Sequence, residues 1–208
     1  MPTKTFMNLD EEKKQRIVNS ALKEFSEKAY DHVNISDIIR NAQIPRGSFY
    51  QYFIDKEDLY FYLIDIIRNE KMLFLKDTLN NIEGIRFIEL VKKLYNEGVK
   101  FALKYPLYVK IMDHLLKNKS EIFYKLMNDN LLIAEKIYMD LIDKDKERGY
   151  IKKSIDSSTF AKIVVQLTTN IAVEELDLSN EEASYKKMIE RNNKVLEIIE
   201  FGVSQGEN

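Results

Sequence analysis

The chain has 208 residues, 45% of them hydrophobic and 11% aromatic, which is ample material for the core of one or two small domains. Its 32 Lys and Arg face 34 Asp and Glu, a formal charge of -2, so no bulk basicity marks a polyanionic partner; the absence of Cys excludes a disulfide framework, a thiolate metal site and a cysteine nucleophile. Only 6 Gly and 3 Pro, with no low-complexity run, suit long helices in contact rather than domains on a flexible string. Residues 1–10 hold no apolar run fit for a signal peptide, and no later stretch approaches the roughly 20 apolar residues of a membrane span, so a cytoplasmic protein is expected.

In chain order, residues 9–29 predict a first helix, with Asn8 and Glu11 as a capping-box pattern and Ile17, Val18, Ala21, Leu22 and Phe25 on one face. Two short helices follow. Asn34 with Asp37 caps the first, whose small apolar face is Ile38, Ala42 and Ile44. Pro45 suits the first turn of the second, where its missing amide would be unpaired anyway; that helix starts near Arg46 and offers Phe49 and Phe53, four apart, as the matching face. Asp55 with Asp58 repeats the capping logic and opens a long helix over 56–80, which Gly84 breaks. A helix over 85–104 ends at the Tyr105-Pro106 step, and a short one spans 106–117. Residues 121–148 form an amphipathic run about 40 Å long with Ile122, Leu126, Ile133, Ile137, Leu141 and Ile142, closed by Gly149. Helices over 157–175 and 181–201 complete the chain. Nothing alternates with period two for long, so the expected fold is all-α with about nine helices.

The two short helices around a tight turn read as a DNA-binding module, a helix-turn-helix. Residues 1–56 carry nine basic and eight acidic side chains, too small an asymmetry to argue from, but no acid lies between Arg40 and Ile54. A locally basic edge on an acidic body binds DNA through a few phosphate contacts with strong salt dependence. Arg46 has fixed donors for guanine edges or phosphate, Gly47 lets the backbone approach DNA, Ser48 and Tyr50 lie on the same helix, and Tyr52 and Lys56 are placed to hold phosphates.

At these residues a resemblance becomes specific. Arg46-Gly-Ser-Phe-Tyr-Gln-Tyr-Phe, two residues, then Lys56-Glu-Asp-Leu resembles the signature of the TetR/AcrR family of bacterial transcriptional regulators. The match covers roughly residues 10 to 60, beyond which only length and the all-helical pattern agree. Pro45 stands where many members have a serine, and Tyr30 where a glycine often ends the first helix. The resemblance implies that Arg46, Gly47, Ser48, Tyr50, Gln51, Tyr52 and Lys56 contact DNA. It also implies a DNA-binding head, 1–55, and a ligand-binding and dimerisation body, 56–208.

Within the body, Phe74, Tyr95, Tyr105, Tyr108, Met112, Met127 and Tyr138 are candidates to line an adaptable apolar pocket, although such side chains fill a core equally well. The last two helices have wide apolar faces, with Ile163, Leu167 and Ile171 on one and Met188 and Leu196 on the other. In the family such a pair meets its symmetry mate in a four-helix bundle, and an intramolecular core is the other reading.

His32 and His114 are the only histidines, in no ligand spacing, and no metal or cofactor is expected. Residues 143–149 imitate a calcium loop, but their glycine falls at position seven instead of six and Ser154 replaces the bidentate glutamate. A helical enzyme or lipid-carrier bundle is the rival class; no G-x-S-x-G or Walker loop supports it, and the chain is not expected to be an enzyme. The reading is a homodimeric regulator of double-stranded operator DNA, a repressor released by a hydrophobic small molecule.

Overall fold

The computed structural model describes residues 2–118 and 121–203, apart from the side chains of 127–133. Among the described residues the chain is helical, without strands. In order come α1 (Lys4–Met7), α2 (Glu11–Glu27), a 3-10 turn (Tyr30–His32), α3 (Ile35–Asn41), α4 (Arg46–Tyr52), α5 (Lys56–Asn80), α6 (Phe87–Lys104), α7 (Pro106–Lys117), α8 (Glu121–Glu147), α9 (Ser157–Glu175) and α10 (Glu181–Val203). The nine longer helices fall where the sequence places them, and α1 is the one helix it did not suggest.

The caps explain most boundaries. Asp55 and Asp58 form a reciprocal pair: the Asp58 amide donates to Asp55 Oδ1 at 2.8 Å, and the Ile54 amide donates to Asp58 Oδ2 at 3.1 Å. For α2 the cap is Asp10, which accepts from the Lys13 amide at 2.8 Å, whereas Asn8 ends α1. Asn34 has the extended backbone of an N-cap but makes no side-chain cap bond, and the Asp37 carboxylate pairs with Arg40 at 2.7 Å and Lys28 at 3.4 Å instead of reaching back to Asn34. At the end of α8, Gly149 takes a φ of +81°, and the Gly149 and Tyr150 amides donate to the carbonyls of Lys146 and Asp145.

The chain divides into two compact units. One comprises residues 1–74 with Ala102–Leu126. Its core joins Ile17, Phe25, Ile38, Phe49, Phe53, Leu59 and Leu63 to Ile111 and Leu115 of α7, which lies along α2. Polar groups buried here are satisfied: Ser20 Oγ donates to the Ile38 carbonyl at 2.9 Å, and Glu24 accepts from Lys28 at 2.8 Å and Asn41 at 3.0 Å. The short α1 adds Phe6, whose ring meets those of Phe53 at 4.8 Å and Tyr62 at 5.4 Å.

The other unit comprises Leu75–Phe101 with residues 127–208. Phe87, Ile142, Phe160, Val164 and Leu196 form its core. Asp145, buried on α8, accepts from the Phe87 amide at 2.7 Å and so caps α6 from a distant part of the sequence. The helices α9 and α10 lie together, joined by Glu175–Lys187 at 3.0 Å, Glu174–Arg191 at 2.8 Å and a contact between Arg191 and Glu175. Ile137, expected on the apolar face of α8, is exposed.

Candidate nucleic-acid interface

The first unit presents α4 as a short helix with a sharp division between its faces. Phe49 is fully buried and Phe53, just past its end, likewise, and these two rings anchor in the core of the unit a helix that packs on α1 and α3. On the opposite face Arg46, Gly47, Tyr50 and Gln51 are exposed and Ser48 is half-buried. Tyr50 is 56% exposed, its ring braced edge-on by Phe49 at 5.2 Å. A Cβ added to Gly47 would meet nothing within 4 Å. The fold therefore does not require glycine there, and the position offers room for an approaching partner's backbone.

The turn before α4 is tightly made. Gln43 adopts a φ of +53°, its amide donates to the Arg40 carbonyl at 3.1 Å, and the Ile44 amide donates to the Ile39 carbonyl at 3.2 Å. Such a left-handed residue closes α3 and redirects the chain within a few residues. At the other end of α4, Thr3 satisfies two carbonyls that the helix leaves open: its amide donates to Tyr52 O at 2.9 Å and its hydroxyl to Gln51 O at 2.6 Å. Neither device has a strong sequence signal; the Thr3-x-x-Phe6 pattern, with the Phe6 amide donating to Thr3 Oγ1, is the trace that α1 leaves.

Tyr52 and Lys56 are placed differently from the other five. Tyr52 is 3% exposed, its ring packed edge-on against Phe6 at 6.0 Å with Lys13 Nζ 5.7 Å from its centre. Lys56 is turned toward the chain itself. Its ammonium donates to the carbonyls of Tyr30 at 2.8 Å and Val33 at 3.1 Å, and lies 4.5 Å from the centre of the Tyr30 ring. Burial, and then the charges of Glu57 and Asp55, push the Tyr30 hydroxyl up to about 12. Lys56 thus clamps the connection between α2 and α3, a role that its place in the motif does not disclose.

The body candidates separate between the two units. Phe74, Tyr105, Tyr108 and Met112 belong to the first, Tyr95 and Tyr138 to the second, and the side chain of Met127 lies outside the described residues. Tyr138 packs edge-on against Phe87 at 5.2 Å, and the buried Tyr95 hydroxyl meets no partner among the described residues. Of the dimer candidates, Ile171, Met188 and Leu196 are buried within the chain and are core residues, because α9 and α10 turn those faces inward. Ile163 is 42% exposed and Leu167 half-buried. Ile198 and Phe201, at 73% and 83%, are the exposed apolar side chains that sequence reasoning missed.

A helix-turn-helix whose second helix has a buried aromatic anchor and an exposed face of Arg, Tyr and Gln is a DNA-binding module. A family model for bacterial regulatory proteins of the tetR family matches residues 17–63. The Escherichia coli K12 transcriptional regulator UidR is 26% identical over 80% of this chain and 84% of its own length. The negative transcriptional regulator of the biofilm operon icaADBC in Staphylococcus epidermidis, IcaR, is 26% identical over 60% of this chain and 66% of its own. The crystal structure of a TetR family transcriptional regulator from Chloroflexus aurantiacus superposes with a TM-score of 0.71 at 27% identity, covering 99% of this chain and all of the other.

The family model, the curated relatives and the solved structure together support the TetR/AcrR family of bacterial transcriptional regulators. Its function is DNA-binding regulation of transcription. No helix among the described residues is long and apolar enough to cross a membrane.

Proposed function

We propose that the protein is a homodimeric repressor that leaves its operator when a hydrophobic small molecule binds its body. The observation that carries this reading is the outward face of α4. Arg46, Gly47, Ser48, Tyr50 and Gln51 meet base edges and phosphates in the major groove, while Tyr52 and Lys56 hold that face in place from inside. Two such helices enter successive grooves when a two-fold dimer sets them about 34 to 36 Å apart. Ile163 and Leu167 on α9 and Ile198 and Phe201 on α10 supply apolar area for that dimer, since exposed side chains of this size mark association surfaces. Repression is supported by IcaR, which is named as a negative regulator.

A ligand releases DNA only to the extent that it prefers the conformation that binds DNA poorly. The test is a footprint of the DNA upstream of the protein's own gene, with sedimentation of the free and bound protein. Protection of two half-sites by a dimer supports the reading; a wild-type monomer at micromolar concentration removes the two-half-site mechanism.

A further inference from the structure

We propose that Glu70, Phe74, Tyr105 and Tyr108 form a binding site for an organic cation, a lipophilic amine or quaternary ammonium, at the place that the Lys104 ammonium takes in the structure. The inference rests on the ligand-responsive reading above and gives that ligand a positive charge.

Glu70 and Phe74 lie one turn apart on α5 and therefore share a face. Facing them is the start of α7. Pro106 cannot continue α6, so Tyr105 stands at the cap position and Tyr108 falls three residues on, bringing the two rings into a face-to-face stack at 5.1 Å and 8°. The Tyr105 hydroxyl donates to Glu70 Oε2 at 3.3 Å, which fixes the carboxylate beside the stack. All four side chains are half-buried.

A carboxylate among aromatic faces is the chemistry of cation recognition, because the negative ring faces and the negative charge attract the same ligand. Lys104 demonstrates that attraction. Its ammonium lies 5.1 Å from the centre of the Tyr105 ring and 5.7 Å from that of Phe74, at the end of an exposed and flexible stem. The Tyr108 hydroxyl is held above its ordinary value, first by burial and then by the charge of Glu70, as expected for a carboxylate close to the stack. An anionic ligand would meet Glu70, and a neutral one would leave that charge uncompensated, so the site selects for a cation. A bulky ammonium displaces Lys104, keeps the ring contacts and adds a charge pairing with Glu70.

The test is calorimetric titration of the full chain with phenyltrimethylammonium and with its uncharged carbon isostere, tert-butylbenzene. Wild type is expected to bind the cation more tightly than the isostere. Glu70→Gln, isosteric and checked by its melting curve, should weaken the cation about tenfold, the size of a half-buried cation–ring and charge contact. Lys104→Met should strengthen it by removing the competitor. Equal binding of both compounds, or cation binding unchanged in both variants, overturns the proposal. A parallel titration on promoter DNA separates the two readings. Cation binding through Glu70 that leaves DNA affinity unchanged keeps the site and removes ligand-controlled release. DNA release by a neutral compound, with no binding of the ammonium, does the reverse.

Discussion

The unit that carries the helix-turn-helix and the unit that carries α9 and α10 differ in how completely their buried polar groups are paired. In α2, Ser20, Glu24 and Ser26 are buried and each has a hydrogen-bond partner. In the second unit, Tyr95 on α6 and Tyr185 and Asn192 on α10 carry buried polar atoms that meet no partner among the described residues, Asn192 at both ends of its amide and 1% exposed. A fully satisfied network favours one geometry, because any shift strands a buried group; an unsatisfied one loses little when its helices repack. The comparison assigns rigidity to the packing around the helix-turn-helix and adaptability to the packing of α10 against its neighbours.

The largest effect expected from breaking this comparison lies in the core of the head. Phe49→Ala removes a fully buried ring that anchors α4 and should cost about 3 to 5 kcal/mol in a denaturant melt, abolishing DNA binding through loss of the helix itself. A near-neutral melt would mean that α4 is not held as described. Lys56→Met should follow, losing about 1.5 to 3 kcal/mol because three charge-assisted bonds to carbonyls disappear, with the salt slope of DNA binding unchanged. A slope lower by about one unit, with stability intact, would make Lys56 a phosphate contact instead.

On the other side of the comparison, Asn192→Leu should raise stability by about 1 to 2 kcal/mol, since it replaces an unpartnered buried amide by an apolar side chain of similar volume. Loss of stability would show that the amide is satisfied in solution, and the contrast between the two regions would close. Gly47→Ala should have the smallest effect on folding, a gain of about 0.5 to 1 kcal/mol from better helix propensity in open space. The same variant should bind DNA more weakly, and unchanged binding would remove Gly47 from the interface.

The sequence discloses much of this fold because helix periodicity and strong punctuation coincide. Pro106 starts α7 and Gly149 closes α8, so these ends could be read directly. Competition among polar side chains could not. Asn8 and Asp10 are equally good cap residues on paper, and Asp37 had a claim on the α3 cap but pairs with Arg40 and Lys28. Gln43 in a left-handed turn leaves no trace, because only glycine would have announced it. Lys56 reads the same whether its ammonium turns outward or inward. On α9 and α10, Ile171, Leu196, Ile198 and Phe201 are equally apolar in sequence, and only packing separates the buried from the exposed.

The central claim is that the outward face of α4 reads operator DNA, and equilibrium binding of Arg46→Ala and Tyr50→Ala tests it most directly. Each variant is titrated against DNA from upstream of its own gene and against an unrelated sequence of equal length. Both side chains are exposed, so melting curves should match wild type while each variant loses about 1 to 3 kcal/mol on the cognate fragment and much of its preference over the unrelated one. Cognate isotherms for both variants that overlay the wild type would contradict the account.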